Sequence, residues 1–482
     1  MDARAPQADE DRPPVRGRRD LTRGPITRTL LLFSLPLFGA NALQSLNGTV
    51  NQIWVSHILG EAAITALGNA NIVMMLMLGT VFGVGMAANI LVGQAFGARD
   101  MGLVKHVMGT ASSFFLALSL GVAVFGGLLA PHILDLMRTP PVSREDAIIY
   151  LRIIFACAPA TYIFMFLQMA QRGAGDSTTP FWFMAMAILI DIVLNPLLIM
   201  GLGPFPKLGI AGSAVSTFVA QSIALLAMVA HLYHRRSILL LRWSEMRLLW
   251  PDPAILRSLV VRGLPMGAQM LVMSSGAVIM ISLVNRYGAL TSAAYTIAAI
   301  LWSYLQMPTM AIGASVSSMA AQNVGAKRWD RVDATARAGV FSGLVVTGSL
   351  AVLLYVFERP VLSILLPAQS PAIPQAIHIN AIVLWAFVLF SVTFSLSGVV
   401  RATGAVWAPL LIMCVSIIGL RVPFASALSG RWGADAIWWS FPLGTVTSAA
   451  LTALYYRFGG WRRAHMLDEA EAPEPVTASA AG

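Results

Sequence analysis

Charged residues are scarce in this sequence. Only 11% of its 482 residues are Asp, Glu, Lys or Arg, and its mean hydropathy is +0.73. Because about a quarter of the residues of a soluble domain are charged, the composition excludes an ordinary soluble protein. Cysteine is rarer still: Cys157 and Cys414 lie in separate apolar stretches, without the spacing of a zinc site or a disulfide framework. Both are predicted to be small buried side chains.

Enzyme motifs are missing as well. The sequence has no HExxH, no GxSxG, no phosphate-binding lysine loop and no pair of carboxylates, and its 7 histidines are scattered. We therefore expect no enzyme, no metal centre and no cofactor. Since there is no nucleotide site, any uphill transport by this chain has to be driven by a gradient of protons or of Na⁺.

Long apolar stretches fill most of the chain. Each is long enough to cross a hydrocarbon core of about 30 Å as a helix, and none alternates as strands of a membrane barrel do. We predict an all-α polytopic membrane protein with twelve transmembrane helices. Their approximate bounds are 30–54, 66–93, 107–129, 147–170, 180–200, 209–233, 263–285, 291–322, 335–357, 376–400, 406–428 and 436–457.

The formal net charge of +10 is concentrated on one side of these spans. Of the 32 Lys and Arg residues, 24 fall on the side of the N-terminus and 7 on the other, while Arg421 lies inside a span. Positive residues mark the cytoplasmic side of membrane proteins. Both termini are therefore predicted to be cytoplasmic, and the charge does not indicate nucleic-acid binding.

Three motifs each occur twice at a nearly constant offset, and they divide the chain into two similar halves. The pairs are Pro36 and Pro265, VGQAFGARD (92–100) and AAQNVGAKR (320–328), and QRGAGDSTTP (171–180) and VRATGAVWAP (400–409). With six spans each, the halves enter the membrane in the same sense and form a parallel repeat, related by a pseudo-twofold axis along the membrane normal. Duplicated apolar halves are typical of secondary transporters, whose site lies between the repeats.

Composition also predicts the boundaries of the domains. Two six-helix bundles span residues 29–233 and 263–457, and a basic cytoplasmic linker at 234–262 joins them. Residues 1–28 are polar and rich in Pro and Arg, whereas residues 464–482 are acidic and rich in Ala and Pro. Both of these ends are predicted to be disordered cytoplasmic segments.

Asp191 is the one carboxylate that we place well inside a span. Its helix begins near Pro180, so it lies roughly 16 Å along the axis at about 1.5 Å per residue, near the middle of the membrane. Burial in lipid disfavours the ionised carboxylate, and intramembrane acids usually have a function. Proton exchange is the predicted role, and the alternative is a structural Asp that is hydrogen-bonded to a neighbouring helix.

Amide and hydroxyl side chains on neighbouring spans extend this polar site. Asn195 follows Asp191 by one helical turn, and spans one and six have polar residues three, four or seven positions apart. The alternative is that such groups only hold helices together, at about 0.6 kcal/mol each. The predicted polar pocket consists of Asp191, Gln44, Asn47, Asn51, Asn195, Ser213 and Thr217.

Three other features have two interpretations each. Pro36 is predicted to kink the first span, either as a hinge coupled to protonation or as a fixed bend. Arg421 is predicted to bind backbone carbonyls or to extend to the membrane interface rather than to contact substrate. Methionines clustered at 74–77 and 266–273 suit a pocket that accepts many shapes, but ordinary helix packing is the preferred interpretation.

With these motifs the chain resembles the multidrug and toxic compound extrusion (MATE) family over residues 26–460. The resemblance rests on VGQAFGARD and its partner AAQNVGAKR, on QRGAGDSTTP, and on DIVLNPLLIMGLGPFPKLGIAGSAVST. It implies a V-shaped pair of six-helix bundles around a central cavity. It also implies export of organic cations in exchange for protons or sodium.

The sequence departs from the family pattern at its acidic positions. Asn51 stands where members commonly have Asp, and Asp191 and Asn195 reverse the usual order of amide and carboxylate in span five. Acids that the NorM-like branch has in spans seven and ten are missing, so the pattern is closer to the DinF-like branch. One carboxylate makes a weak Na⁺ site, which favours protons. If Na⁺ does bind, the expected ligands are Asn51, Asp191, Asn195 and Thr217.

The sequence therefore predicts a monomeric antiporter of a bacterial inner membrane that exports lipophilic organic cations, with Asp191 as the titrating group. Its partners are the bilayer and the exported cations. One alternative is a sodium-coupled exporter of the same family. Another is a lipid-linked saccharide flippase of the same superfamily, which needs more cationic cavity residues than Arg421 alone. The last is a receptor or scaffold, in which a lone mid-membrane carboxylate has no use.

Overall fold

The computed structural model describes residues 20–467 apart from 60, 138, 140, 366 and 368. Every regular element in this part of the chain is helical. The α-helices are α1 (Ile26–Leu59), α2 (Glu61–Gly97), α3 (Met101–Leu136), α4 (Pro141–Ala156), α5 (Ala158–Gly173), α6 (Thr178–Met200), α7 (Ile210–His234), α8 (Pro253–Val284), α9 (Ala289–Gly325), α10 (Trp329–Val356), α11 (Glu358–Leu365), α12 (Ala372–Val388), α13 (Phe390–Ala402), α14 (Trp407–Cys414), α15 (Val422–Trp432) and α16 (Asp435–Phe458).

The twelve predicted spans are all helical in the structure, and three of them consist of consecutive helices: α4 with α5, α12 with α13, and α14 with α15. Among the described residues, 10 segments are long and apolar enough to cross a membrane, and the pair α4 and α5, bent by 47° at Cys157, makes 11. The twelfth is α16, which is less apolar but, at 24 residues, is about 36 Å long at about 1.5 Å per residue. Helix α14 continues into α15 through a π-helical segment, Val415–Arg421.

The two halves pack against each other through their long helices. Helix α2 contacts α8 and α9, and α1 contacts α9 and α10. Both described chain ends lie where α9 ends: the Leu21 amide donates to Gln322 Oε1 (3.1 Å), and Trp461 packs against Trp329. We call this end of the bundle, formed by Leu21, Gly97, Gly325 and Trp461, the basic end.

A pseudo-symmetric pair of hydrogen bonds joins the halves at the basic end. Gln94 Nε2 donates to the carbonyl oxygen of Ala402 (2.7 Å), and Gln322 Nε2 donates to that of Gly173 (2.8 Å). The two glutamines occupy matching places in the repeated motifs, and so do the two acceptors. The described hydrogen bonds between the helices of the two bundles all lie at or near this end.

The predicted disorder of the chain ends is wrong for the residues that the structure describes there. Leu21 is fully buried, its carbonyl accepts a hydrogen bond from Asn323, and α1 begins at Ile26 rather than after residue 28. Met466, in the predicted tail, is 1% exposed, and its carbonyl accepts from Ser258. Apolar side chains at these places bury themselves against the basic end. Residues 1–19 and 468–482 lie outside the described residues.

The predicted linker at 234–262 is shorter in the structure. Helix α8 begins at Pro253, because the Asp252 side chain accepts hydrogen bonds from two amides of the first turn and proline favours the first helical position. The remaining segment contains a 3₁₀ helix, Trp243–Leu249, that packs on α3. The charged start of α8 lies outside the apolar stretch, which is why hydropathy placed the boundary too late in the chain.

Candidate functional site: a polar pocket around Asp191

The centre of the pocket is the carboxylate of Asp191, which is 3% exposed on α6. Its Oδ1 accepts hydrogen bonds from Ser216 Oγ (2.7 Å) and Thr217 Oγ1 (3.2 Å), both on α7. Its Oδ2 accepts one from Asn47 Nδ2 (3.1 Å) on α1. Three helices therefore meet at this one acidic group.

A second layer of hydrogen bonds lies one turn further from the basic end. Asn51 Oδ1 accepts from Asn195 Nδ2 (2.8 Å) and from Ser213 Oγ (2.8 Å). Asn195 and Ser213 are almost fully buried, and Asn195 Nδ2 also donates a hydrogen bond to Ser213 Oγ (3.4 Å). The structure thus brings together six of the seven predicted residues, on the helix faces that the spacing indicated.

Gln44 is the exception. It is exposed, and none of the described hydrogen bonds includes it. It lies one turn from Asn47 toward the basic end, at a level where α6 presents Ala187 and Ile188. Sequence spacing gave the correct face of α1 but not the depth at which the polar groups of α6 end.

Two residues of the pocket were missed. Ser216 is fully buried, makes the shortest hydrogen bond to Asp191 and also donates to its main-chain oxygen (3.1 Å). It lies three residues after Ser213, a spacing that places both on one helix face, so the sequence contained this signal. The buried Tyr150 of α4 lies beside Ser213, and no pattern in the sequence connected these two helices.

The electrostatics of the pocket leave Asp191 without a basic partner in the part of the chain that the structure describes. Its three donors are neutral; they favour the ionised carboxylate, whereas burial in an apolar bundle disfavours it. The donors Asn47 and Thr217 are themselves only partly buried, so the carboxylate borders the more open side of the pocket.

The predicted Na⁺ ligands lie in this network but do not form a cage. The oxygens of Asp191 and Asn51 already accept hydrogen bonds, and Asn195 Oδ1 is buried without a partner among the described residues. No group of three or more His, Cys, Asp or Glu side chains in the described ranges could hold a metal ion. Na⁺ prefers several oxygens and charge compensation, which Asp191 and Asn195 supply only in part.

The three remaining predicted features lie elsewhere. Pro36 is inside the continuous helix α1. Arg421 packs its guanidinium over the Phe441 ring, 3.4 Å from Cζ to the centroid, and none of the described hydrogen bonds joins it to a backbone carbonyl. The interpretation that Arg421 binds backbone carbonyls therefore has no support among the described hydrogen bonds, and its extension to the membrane interface stays a prediction. Met266, Met270 and Met273 line the same cavity as Arg421, and Met266 is also part of the hydrophobic core, so this cluster agrees with both interpretations.

Comparison with known proteins identifies the architecture. The sequence profile of the MatE family matches residues 36–197 and again residues 265–426. The chain belongs to the MatE family. The two matched segments begin at Pro36 and Pro265, in agreement with the repeat read from the sequence. Membership in this transporter family confirms the expectation that the chain is a transporter and not an enzyme.

Several relatives of this MatE chain have names that describe transport. It is 34% identical over 435 residues to the probable multidrug resistance protein YoeA of Bacillus subtilis, covering 90% of this chain and 94% of that protein. It is 22% identical to the probable multidrug resistance protein NorM of Thermotoga maritima, covering 92% and 94%. It is 26% identical to an FAD transporter of Shewanella oneidensis, covering 73% and 76%.

Solved structures agree with the fold of this MatE protein. An outward-facing multidrug resistance MATE transporter has a TM-score of 0.84 at 20% identity, covering 92% of this chain and 97% of that one. A MATE structure in a bent conformation has a TM-score of 0.83 at 20% identity, covering 91% and 96%. The predicted V-shaped pair of repeated bundles is thereby confirmed, whereas the choice between branches of the family stays a prediction.

Proposed function

We propose that this MatE protein is a proton-coupled antiporter that exports lipophilic organic cations, with Asp191 as the titrating group. The observation that carries the proposal is a buried carboxylate with three neutral hydrogen-bond donors and no described basic partner. The names of relatives such as YoeA support drugs as cargo. The protein works as a monomer and uses no cofactor besides the transported ion.

The network around Asp191 explains how protonation would move helices. A protonated carboxyl is a donor at one oxygen and a weaker acceptor than a carboxylate, so protonation would weaken the hydrogen bond that this oxygen accepts. The donor from α1 is Asn47, and α1 packs against α9 and α10 of the other half. Protonation would therefore weaken a contact that positions one half against the other, and Pro36 would be the place where α1 bends.

One titrating group restricts the energetics. Exchange of one proton for one monovalent cation moves no net charge across the membrane, so only the pH gradient drives it. Each pH unit then supplies about 1.4 kcal/mol, a tenfold concentration ratio. We place the protein in a bacterial inner membrane with the basic end in the cytoplasm, following its excess of Lys and Arg.

The test is drug uptake by inside-out membrane vesicles that contain the protein, driven by an imposed pH gradient and followed with a fluorescent cation. Asp191→Asn keeps the shape of the side chain but cannot carry a proton, so pH-driven uptake should be lost while the protein remains folded. Glu358→Gln is the matched control, because Glu358 is also a buried carboxyl, 8% exposed and bonded to Asn380, but lies far from the pocket in α11. Uptake retained in Asp191→Asn contradicts the assignment.

Sodium coupling is the second candidate, favoured by the unpartnered Asn195 Oδ1. The same vesicles separate the two ions. If protons drive transport, uptake follows the pH gradient at constant Na⁺; if Na⁺ drives it, a Na⁺ gradient supports uptake without a pH gradient. In the second case Asn195→Ala should weaken the dependence on Na⁺ more than the dependence on pH.

A further inference from the structure

A second cavity lies in the C-terminal half, separate from the Asp191 pocket. Its volume is about 310 Å³, and it is lined mainly by helices of the second half (α8, α9, α12, α13, α14, the π-helical segment before α15, and α16), with Phe82 and Met86 of α2 contributed by the first half. Aromatic and thioether side chains make up much of its lining, including Tyr295, Trp302, Phe387, Phe390 and Phe441 and the methionines of α8. Such walls suit a flat apolar ligand.

The charge of this cavity is positive. Arg401 and Arg421 both line it, and none of the described residues that line it is acidic. Neither arginine forms a described ion pair: Arg401 donates to Gln269 Oε1 (3.1 Å), and Arg421 is stacked on Phe441. A buried guanidinium without a carboxylate is costly, and membrane proteins keep such groups for a function.

Several residues that line this cavity have buried hydrogen-bond donors without an acceptor among the described residues. The Nε atoms of Arg401 and Arg421 and Nε2 of Gln269 are buried and have no partner in the described part of the chain. The hydroxyls of Thr393 and Ser416, which also line the cavity, are unpartnered too. A surplus of donors, two of them cationic, is complementary to a carboxylate, sulfonate or phosphate group.

The repeat shows that the two halves have opposite polarity at matching places. Asp191 lies in the fifth span, and Arg421 lies in the equivalent eleventh span, at very nearly the offset that relates Pro36 to Pro265. Arg421 ends a π-helical segment, a distortion that often marks a functional site. The first half thus has a carboxylate where the second half has a guanidinium.

We propose that the cavity of the C-terminal half binds an aromatic organic anion. The aromatic part lies among Tyr295, Trp302 and Phe441, and the anionic group bonds to the Arg421 guanidinium, while Arg401 adds a second positive charge nearer the basic end. This site goes beyond the export of cations proposed above and does not depend on proton coupling at Asp191. The same anionic group could belong to a free solute or to a lipid head group.

The test compares two probes of equal shape and opposite charge, 2-naphthalenesulfonate and 2-naphthyltrimethylammonium. Their binding to the full protein in phosphatidylcholine nanodiscs is measured by calorimetry, with empty nanodiscs subtracted. We expect the sulfonate to bind at least about tenfold more tightly, since hydrogen bonds to charged groups discriminate by about this factor or more. Equal affinities, or tighter binding of the ammonium probe, would overturn the proposal without any variant being needed.

Variants assign the site to its residues. Arg421→Gln should weaken the sulfonate about tenfold or more and leave the ammonium probe unaffected, whereas Arg421→Lys should retain most of the affinity. Arg172→Gln is the control: Arg172 is the equivalent of Arg401 in the first copy of the repeat, and is not among the residues that line the cavity. Loss of sulfonate binding in Arg172→Gln, or full binding in Arg421→Gln, contradicts the assignment.

The source of the anion is tested with lipid composition. If an anionic lipid is the natural occupant, phosphatidylglycerol in the nanodiscs should compete with the sulfonate and weaken its apparent binding. If the site is for free solutes, the affinity should be the same in both kinds of nanodisc. Either result supports an anion site when the sulfonate exceeds the ammonium probe in phosphatidylcholine. If the sulfonate does not bind more tightly than the ammonium probe, only the anion site is contradicted. The vesicle test of Asp191 is unaffected, because it measures uptake of a cation.

Discussion

In the proposed mechanism, the donors around Asp191 determine how readily its carboxylate takes up a proton. Ser216 makes the shortest of the three hydrogen bonds and comes from a residue that is completely buried, whereas Asn47 and Thr217 lie on the more open side. A hydrogen bond to a charged group contributes about 1.5–3 kcal/mol. The hydroxyl of Ser216 is therefore the contact that most favours the ionised form.

Ser216→Ala should move the pH at which drug efflux is half-maximal to higher pH. Removal of a donor to the carboxylate makes protonation easier, and about 1.5–3 kcal/mol corresponds to about 1–2 pH units. The measurement is the rate of pH-driven uptake in vesicles across a range of external pH. Ser213→Ala is the control, because Ser213 donates to Asn51 and not to Asp191. An unchanged profile in Ser216→Ala would show that Asp191 does not set the pH dependence.

Residues of the pocket could be predicted from the sequence where their helix face and their position along the helix axis were enough to place them in the pocket. Asp191, Asn195, Ser213 and Thr217 followed from helical spacing within α6 and α7. The prediction for Gln44 was wrong because residue spacing on α1 does not show how far the polar groups of α6 extend along the helix axis. Arg401 lies just after the predicted span 376–400 and was not singled out, yet it lines the second cavity, because a long side chain at a helix end can extend into a cavity that only the packing of several helices creates.

An ion pair joins the segment between the two halves to α3. Glu245, in the 3₁₀ helix Trp243–Leu249, pairs with Lys105 of α3 and accepts a hydrogen bond from the Arg242 amide (2.9 Å). Partial burial would raise the pKa of the Glu245 carboxyl, but these hydrogen bonds and the Lys105 charge together lower it below its ordinary value. Docking of the segment on α3 is therefore predicted to depend on pH.

The sign of this coupling follows from the lowered pKa. The ionised Glu245 stabilises docking fully above its ordinary pKa of 4.5, and this stabilisation is lost as the pH falls through the lowered value. Glu245→Gln should mimic the acid state at neutral pH and increase hydrogen exchange in residues 242–250 about fivefold, the equivalent of about 1 kcal/mol for a partly exposed pair. Glu145→Gln, at an exposed site on α4, should have no effect. Equal exchange in all three proteins would contradict the coupling.

The number of membrane-spanning helices could be predicted from the sequence, but the positions at which these helices bend or change their hydrogen-bonding pattern could not. Hydropathy detects apolar length, so all twelve spans were found. The bend between α4 and α5 at Cys157 and the π-helical segment Val415–Arg421 were not, because both depend on how a helix fits its neighbours. The same limit applies to the ordered residues 20–28, whose burial against α9 is a long-range contact that local composition does not contain.

Closure at the basic end is a property of the whole molecule and depends on two glycines. An added Cβ at Gly97 would lie 1.9 Å from the carbonyl oxygen of Gln322, and one at Gly325 would lie 1.9 Å from that of Gln94. The two contacts are equivalent in the repeat, so each half supplies a glycine to receive the backbone of the other. With the halves joined here, transport to the opposite side of the membrane requires these contacts to separate.

Gly97→Ala or Gly325→Ala should shift the whole molecule toward a form that is open at the basic end. Overpacking costs about 1–3 kcal/mol, which corresponds to a shift of about 5- to 150-fold in the ratio of the two forms. Spin labels at Ala98 and Asp330, exposed at this end of the two halves, report their separation through pulsed electron paramagnetic resonance. Each variant should populate longer distances than the unsubstituted glycine protein.

Gly127→Ala is the matched control, because a Cβ at this glycine in α3 would meet nothing within 4 Å. The Gly127→Ala protein should keep the short distance between the two spin labels, although it has the same glycine-to-alanine change. If Gly97→Ala and Gly325→Ala also keep the short distance and transport at an unchanged rate, the two backbones must separate by other means, and the paired glycines are not what permits closure. If the longer distance appears and pH-driven uptake falls together with it, closure at the basic end is a required step of the transport cycle, because a carrier that cannot close on one side cannot maintain a gradient across the membrane.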